Sequence, residues 1–146
     1  MSFVIPSIER ILLTLWVGGL WVIGFFVAPT LFATLPSTAL AGDVAAALFT
    51  GLSRIGLVCG AVLLVLGVLQ RTWQVRRWQM LTIIGMLLLV VAGEYVLAPM
   101  IGDLRAAGQV AADRFGQLHW LATALFGINC LLGLVLVAAG RGGGNR

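Results

Sequence analysis

ILLTLWVGGLWVIGFFVAPTLFATLPSTALAG, residues 11–42, contains no ionisable side chain. An α-helix crosses the hydrocarbon core of a bilayer in about 20 apolar residues, so this stretch is long enough to span it. Three further apolar blocks follow within a chain of only 146 residues. The composition agrees: 61% hydrophobic and 10% charged, where a soluble domain carries roughly 25% charged residues. The sequence therefore predicts an all-α fold, an integral membrane four-helix transmembrane bundle forming a single membrane domain over residues 1–146. No soluble domain fits beside it.

Span boundaries follow from where the pattern changes. The first span reads as 7–35, with Ser7 as N-cap after Pro6 and Glu9 in the first turn, where the helix dipole favours it. Pro29 predicts a kink inside that span or the end of its regular part, and Pro36 closes it. The second span reads as 50–70, within a helix starting at Asp43 as N-cap. The third and fourth read as 79–101 and 115–139. Between these two, residues 102–114 read as an interfacial segment, amphipathic through Leu104, Val110 and Phe115. Ala39-Leu40-Ala41 fits a small-x-small cleavage site, but the run before it far exceeds the roughly 7–15 apolar residues of a signal peptide. Glu9 beside Arg10 is not a positive leader either, so a retained helix is expected.

All nine basic residues are arginines. Four spans place Arg10, Arg71, Arg76, Arg77, Arg141 and Arg146 on one side, with Trp73 and Trp78 as interfacial anchors. The other side holds Arg105 and Arg114, each near an aspartate. The positive-inside rule then puts both termini in the cytoplasm. Arginines at membrane edges explain the net charge of +4 without nucleic acid as a partner. The expected partners are the lipid bilayer and either further copies of the chain, as a homo-oligomer, or a larger membrane complex. The alanine- and glycine-rich, lysine-free composition suggests a multi-pass protein of a bacterial inner membrane.

Four polar residues inside the spans are the site candidates. At 1.5 Å per residue, Arg54 stands ~24 Å above Gln70 and Glu94 ~22 Å above Gln79, matching depths that invite a pair. An unpaired charge in lipid costs at least ~2.5–3.5 kcal/mol, so such residues face the bundle interior or water. They point either to an ion- or proton-handling polar site in the outer half or to a structural ion pair; alternatively, Arg54 snorkels to the interface. His119, the single histidine, lies near the outer end of the fourth span. Asn129 lies near mid-membrane, ~16 Å from Gly140.

Cys59 and Cys130 lie at about the same level as Asn129. With Met86 nearby they offer soft ligands to Cu(I), yet they lack metal-site spacing and read as core. One histidine cannot supply both axial ligands of a haem within one chain. No metal or cofactor is assigned. There is no HExxH, GxSxG or phosphate-loop pattern, and the chain reads as a non-enzyme.

The helix-packing motif comprises Trp16, Gly18, Gly19, Pro29, Gly56 and Gly60. Gly56 and Gly60 form a GxxxG step that lets backbones approach, by default within the chain.

LWVGGLW (15–21), APTLFATLP (28–36), Ala41-Gly42, Leu48-Phe49, Pro99 and RFGQLHWLA (114–122) together resemble domain-of-unknown-function family 4149, which includes the transmembrane protein 205-like membrane proteins. The resemblance implies four membrane helices without an assigned reaction. Through a eukaryotic member linked to drug and metal-complex resistance, it hints at transport. Three readings follow. The first is a transport or permeation component whose polar site is Arg54, Glu94 and His119, oligomeric because four helices enclose little space. The second is an accessory or assembly subunit docking on a larger membrane complex through its glycine faces. The third is a haem- or copper-associated membrane protein with His119 as a ligand.

Overall fold

The computed structural model describes residues 4–70 and 77–139. Arg71, Trp73, Arg76, Arg141 and Arg146 of the basic side lie outside the described residues. Four helices are long and apolar enough to cross a membrane: α1 (Val4–Thr34), α2 (Thr38–Leu69), α3 (Arg77–Ala106) and α4 (Asp113–Ala139). Between 17% and 33% of each helix's most apolar window is buried. Most of that apolar surface faces outward, where lipid is the compatible solvent.

The helix ends differ from the sequence reading in three places. Helix α1 already runs from Val4, so Ser7 lies within it rather than at its N-cap. Helix α2 is capped by Ser37, whose Oγ accepts from Leu40 N–H at 3.2 Å. The preceding Pro36 blocks continuation of α1, so the chain turns at once and Asp43 falls inside α2. Residues 102–114 form no separate amphipathic element: α3 continues to Ala106. Gly108 then ends it at φ 70°, with Gly108 N–H bonded to Arg105 O and Gln109 N–H to Leu104 O. That is the 5→2 and 6→1 pairing for which a left-handed glycine is suited.

Each helix packs on two neighbours, α1 and α3 both on α2 and α4, which makes an antiparallel square. Helices α1 and α3 each contain one widened turn, π-helical over Val22–Val27 and Ala92–Leu97, directly before Ala28-Pro29 and Ala98-Pro99. The cause is the proline. It has no N–H, and its ring clashes with the carbonyl four residues back, so a turn of i→i−5 bonds relieves the collision. Ala28 N–H accordingly bonds Ile23 O, and Ala98 N–H bonds Gly93 O.

These two turns expose an internal repeat that the sequence reading missed. The second half of the chain echoes the first 70 positions later: Val22–Val27 onto Ala92–Leu97, Ala28-Pro29 onto Ala98-Pro99, Asp43 onto Asp113. Buried residues correspond in the same register: Trp16 with Met86, Leu20 with Val90, Cys59 with Asn129, Gly60 with Cys130 and Leu63 with Gly133. Matching helices sit on the diagonals of the square, so the halves are related by a quasi-twofold axis along the bundle.

Core packing is concentrated in the half of the bundle that holds the start of α1 and the end of α4. Trp16 and Met86 are both 0% exposed and sit with Cys59, Leu63, Ile83, Cys130 and Leu136 in one cluster. Trp16 lies over the GxxxG step: a Cβ at Gly56 would stand 2.5 Å from its Nε1, and one at Gly60 3.1 Å from its Cη2 and 2.5 Å from Leu87 Cδ2. The glycine step is therefore filled within the chain. Gly19 makes room for Leu52, whereas a Cβ at Gly18 would meet nothing within 4 Å. Gly18 thus drops out of the packing motif, because its side of α1 faces outward. At the same end Gln70 Nε2 donates to Glu9 Oε1 at 2.9 Å, tying α1 to α2.

A polar cavity at the connector end of the bundle

The other half of the bundle, beneath connectors 35–37 and 107–112, is hollow. A cavity of about 410 Å³ lies between all four helices, reaching from Trp16 and Asn129 at its floor to Phe32, Gly42 and Arg105 at its mouth. It exists because the facing positions are small: Gly24, Ala28, Ala45, Gly93, Ala98 and Ala122 line it. Thr123 and Ser53, also on the wall, are repeat counterparts.

Three of the four site candidates meet here. Glu94, His119 and Asn129 all line the cavity; Arg54 does not, although its neighbour Ser53 does. Arg54 is exposed near the midpoint of α2. Among the described residues it has no ion pair with Glu94. Matching depth was not enough, because at 100° per residue the guanidinium points out of the bundle while Ser53 points in.

Glu94 sits in the widened turn of α3, partly buried, with no hydrogen-bond or ion-pair partner among the described residues. His119 is exposed at the cavity edge, its ring parallel to that of Phe115 with centroids 6.1 Å apart. Asn129 is 4% exposed, and its Oδ1 has no hydrogen-bond partner among the described residues. Trp16 Nε1 is likewise buried and unpartnered, held against Gly56.

The mouth carries a residue that the sequence reading had used only for orientation. Arg105 Nη1 reaches across from α3 to Asp43 Oδ1 on α2, at 3.1 Å. Buried Gly42 lets it lie flat there, since a Cβ would stand 3.2 Å from Nη2. The signal was available: an arginine one turn before a helix-ending glycine, facing an aspartate one turn into the adjoining helix.

The repeat explains the chemistry of the walls. Gly24 corresponds to Glu94, Phe49 to His119 and Cys59 to Asn129. The first half contributes apolar groups where the second contributes polar ones. Phe126 of α4 packs over Gly24 of α1 and meets Phe49 of α2 edge to face, centroids 5.1 Å apart, so an aromatic pair joins the two halves across the cavity lining.

Metal chemistry finds less support. Among the described residues no group of three or more His, Cys, Asp or Glu side chains could hold an ion. Cys59 and Cys130 are buried free thiols of the core cluster, outside the cavity lining.

The family model described as a domain of unknown function, DUF4149, matches residues 11–110. The matched segment includes Glu94, Arg105 and Asp43 and ends before His119 and Asn129. No curated protein and no solved structure matches the chain.

Proposed function

The chain belongs to the DUF4149 family, and we propose that it is a multi-pass membrane protein, non-enzymatic, that passes or carries a small solute through its connector-end cavity. The observation that carries this reading is Glu94, an unpartnered carboxylate on the wall of a cavity inside a transmembrane bundle. Ionisable groups kept within membrane spans mark solute and ion pathways, because holding them there is costly. The proline-interrupted helices in corresponding positions of two halves support the same reading, since repeat-built transporters place their sites at such interruptions.

On this reading the cavity is entered past Arg105 and ends at Trp16, which with Met86 belongs to the core cluster below. The cavity is a vestibule, and passage requires that cluster or the Arg105–Asp43 contact to move. With the termini in the cytoplasm, as the arginine distribution favours, the vestibule faces outward. A homo-oligomer is not required to create the space, as the four helices enclose it themselves.

Reconstituted into liposomes, the protein is expected to pass a small organic solute that protein-free liposomes retain. Glu94→Gln should abolish that flux while leaving the thermal unfolding midpoint in detergent within about 2 °C, as expected of a surface-like change. Equal leakage with and without protein would contradict the proposal.

A second reading rests on Arg54. A guanidinium exposed near mid-span, with no partner among the described residues, fits an accessory subunit that docks on a carboxylate-bearing helix of a larger complex. The docking face would be that flank of α2 and not the GxxxG step, which Trp16 and Leu87 already occupy. Loss of co-purifying subunits in Arg54→Gln, with Glu94→Gln unaffected, would favour this reading over transport.

A further inference from the structure

We propose that the cavity accepts an apolar organic cation, its charge against the Glu94 carboxylate and its body among Phe32, Phe49 and Phe126. This rests on the cavity being solute-accessible, the premise of the transport reading, and names the class of solute.

Charge comes first. Glu94, Arg105 and His119 are the ionisable residues of the lining; His119 is exposed at its edge, and Arg105 is already paired with Asp43 across the mouth. What is left uncompensated is negative, on a wall of low polarity where a carboxylate attracts a counter-charge far more strongly than in water. The phenylalanine rings of the lining, Phe32, Phe49 and Phe126, add a further preference for positive charge through their ring quadrupoles.

Size and donor set then separate the possible cations. A volume of about 410 Å³ lies in the range of pockets for small organic molecules, ~300–1,000 Å³. A bare divalent ion would need about six or more oxygen ligands, and among the described residues no suitable cluster exists. A hydrophobic body replaces those ligands: Leu20, Leu89, Val90, Leu125 and Ile101 complete the walls. The inequality of the two halves also matters. The acidic group, Glu94, stands in the second half, where its first-half counterpart is Gly24, so the site suits a molecule with one charged pole and an otherwise apolar body.

The test uses the full chain in lipid nanodiscs, with tetraphenylphosphonium and tetraphenylborate, two ions of the same shape and opposite charge. Isothermal titration, with empty nanodiscs subtracting partition into lipid, should show saturable binding of the phosphonium and none of the borate. Glu94→Gln should weaken phosphonium binding about tenfold or more, the effect of removing one poorly solvated charge, while Glu94→Asp retains most of it. Equal saturable binding of both ions, or unchanged affinity in Glu94→Gln, would overturn the inference. If Glu94→Gln fails to fold, the comparison of the two ions on the unmodified protein still decides. Saturable binding without flux in liposomes would remove the transport reading and leave this one standing. Flux of another solute with no phosphonium binding would do the reverse.

Discussion

Single residues carry opposite duties in the two halves of this bundle, and substitutions should separate them. Gly56 exists for Trp16: a methyl there meets the indole at 2.5 Å, and the indole is wedged in the core. Gly56→Ala should therefore destabilise the protein by about 1–3 kcal/mol, the usual cost of overpacking, seen as a lower unfolding midpoint in detergent. Gly18→Ala, with open space around it, should be neutral or slightly stabilising by helix propensity. Equal effects at the two positions would contradict the packing described. Asn129 has the reverse profile. Its buried oxygen has no partner, so Asn129→Leu should leave stability unchanged or raise it while reducing solute binding. A fall in the unfolding midpoint with binding intact would show that the amide is structural. The residue scale is also where sequence reading reached its limit. It selected Glu94, His119 and Asn129, because polar groups in apolar runs stand out. It paired Arg54 with Glu94 because depth can be counted along a helix, whereas the direction of a side chain in a glycine- and alanine-rich helix cannot.

At the scale of elements, prolines and one glycine do most of the shaping. Pro29 and Pro99 widen the turns before them, and Glu94 occupies one of those turns. Pro99→Ala restores the missing donor and lets α3 close to a regular helix, which rotates Glu94 relative to the helix below. Solute binding at Glu94 should fall while stability holds or rises; unchanged affinity would mean the widened turn is incidental. Gly108 ends α3 with φ 70°, so Gly108→Ala should cost about 1 kcal/mol, measurable as a shift in the unfolding midpoint. An interruption of the regular helix at Pro29 was legible from the run itself; the matching one at Pro99 was not, because that proline reads as the end of a span. The continuation of α3 to Ala106 was not, because Asp103 and Arg105 make its last turns look like a surface segment. Those turns are polar because they form the mouth of the cavity, where Arg105 meets Asp43.

The whole molecule is two similar helix pairs around a quasi-twofold axis, packed tightly at one end and hollow at the other. Four spans were legible from apolar length, and the filling of the GxxxG step within the chain from the default of intramolecular packing. The repeat was not. Outward positions need only be apolar, so they share few identities between the halves, and the cavity walls differ by function. What survives is the register: the same turns, the same Ala-Pro pairs and the same buried levels, 70 positions apart. The central claim is that this hollow half is open to solute and the other half is not. Cysteine accessibility tests it most directly. In a background with Cys59 and Cys130 replaced by alanine, single substitutions Glu94→Cys, His119→Cys, Asn129→Cys and Met86→Cys would be exposed to a small membrane-impermeant thiol reagent in intact membranes. Modification is expected at the first two and not at the buried positions 129 and 86, with Glu94→Cys protected by bound tetraphenylphosphonium. Protection of all four positions, or modification of Met86→Cys as readily as Glu94→Cys, would contradict the account.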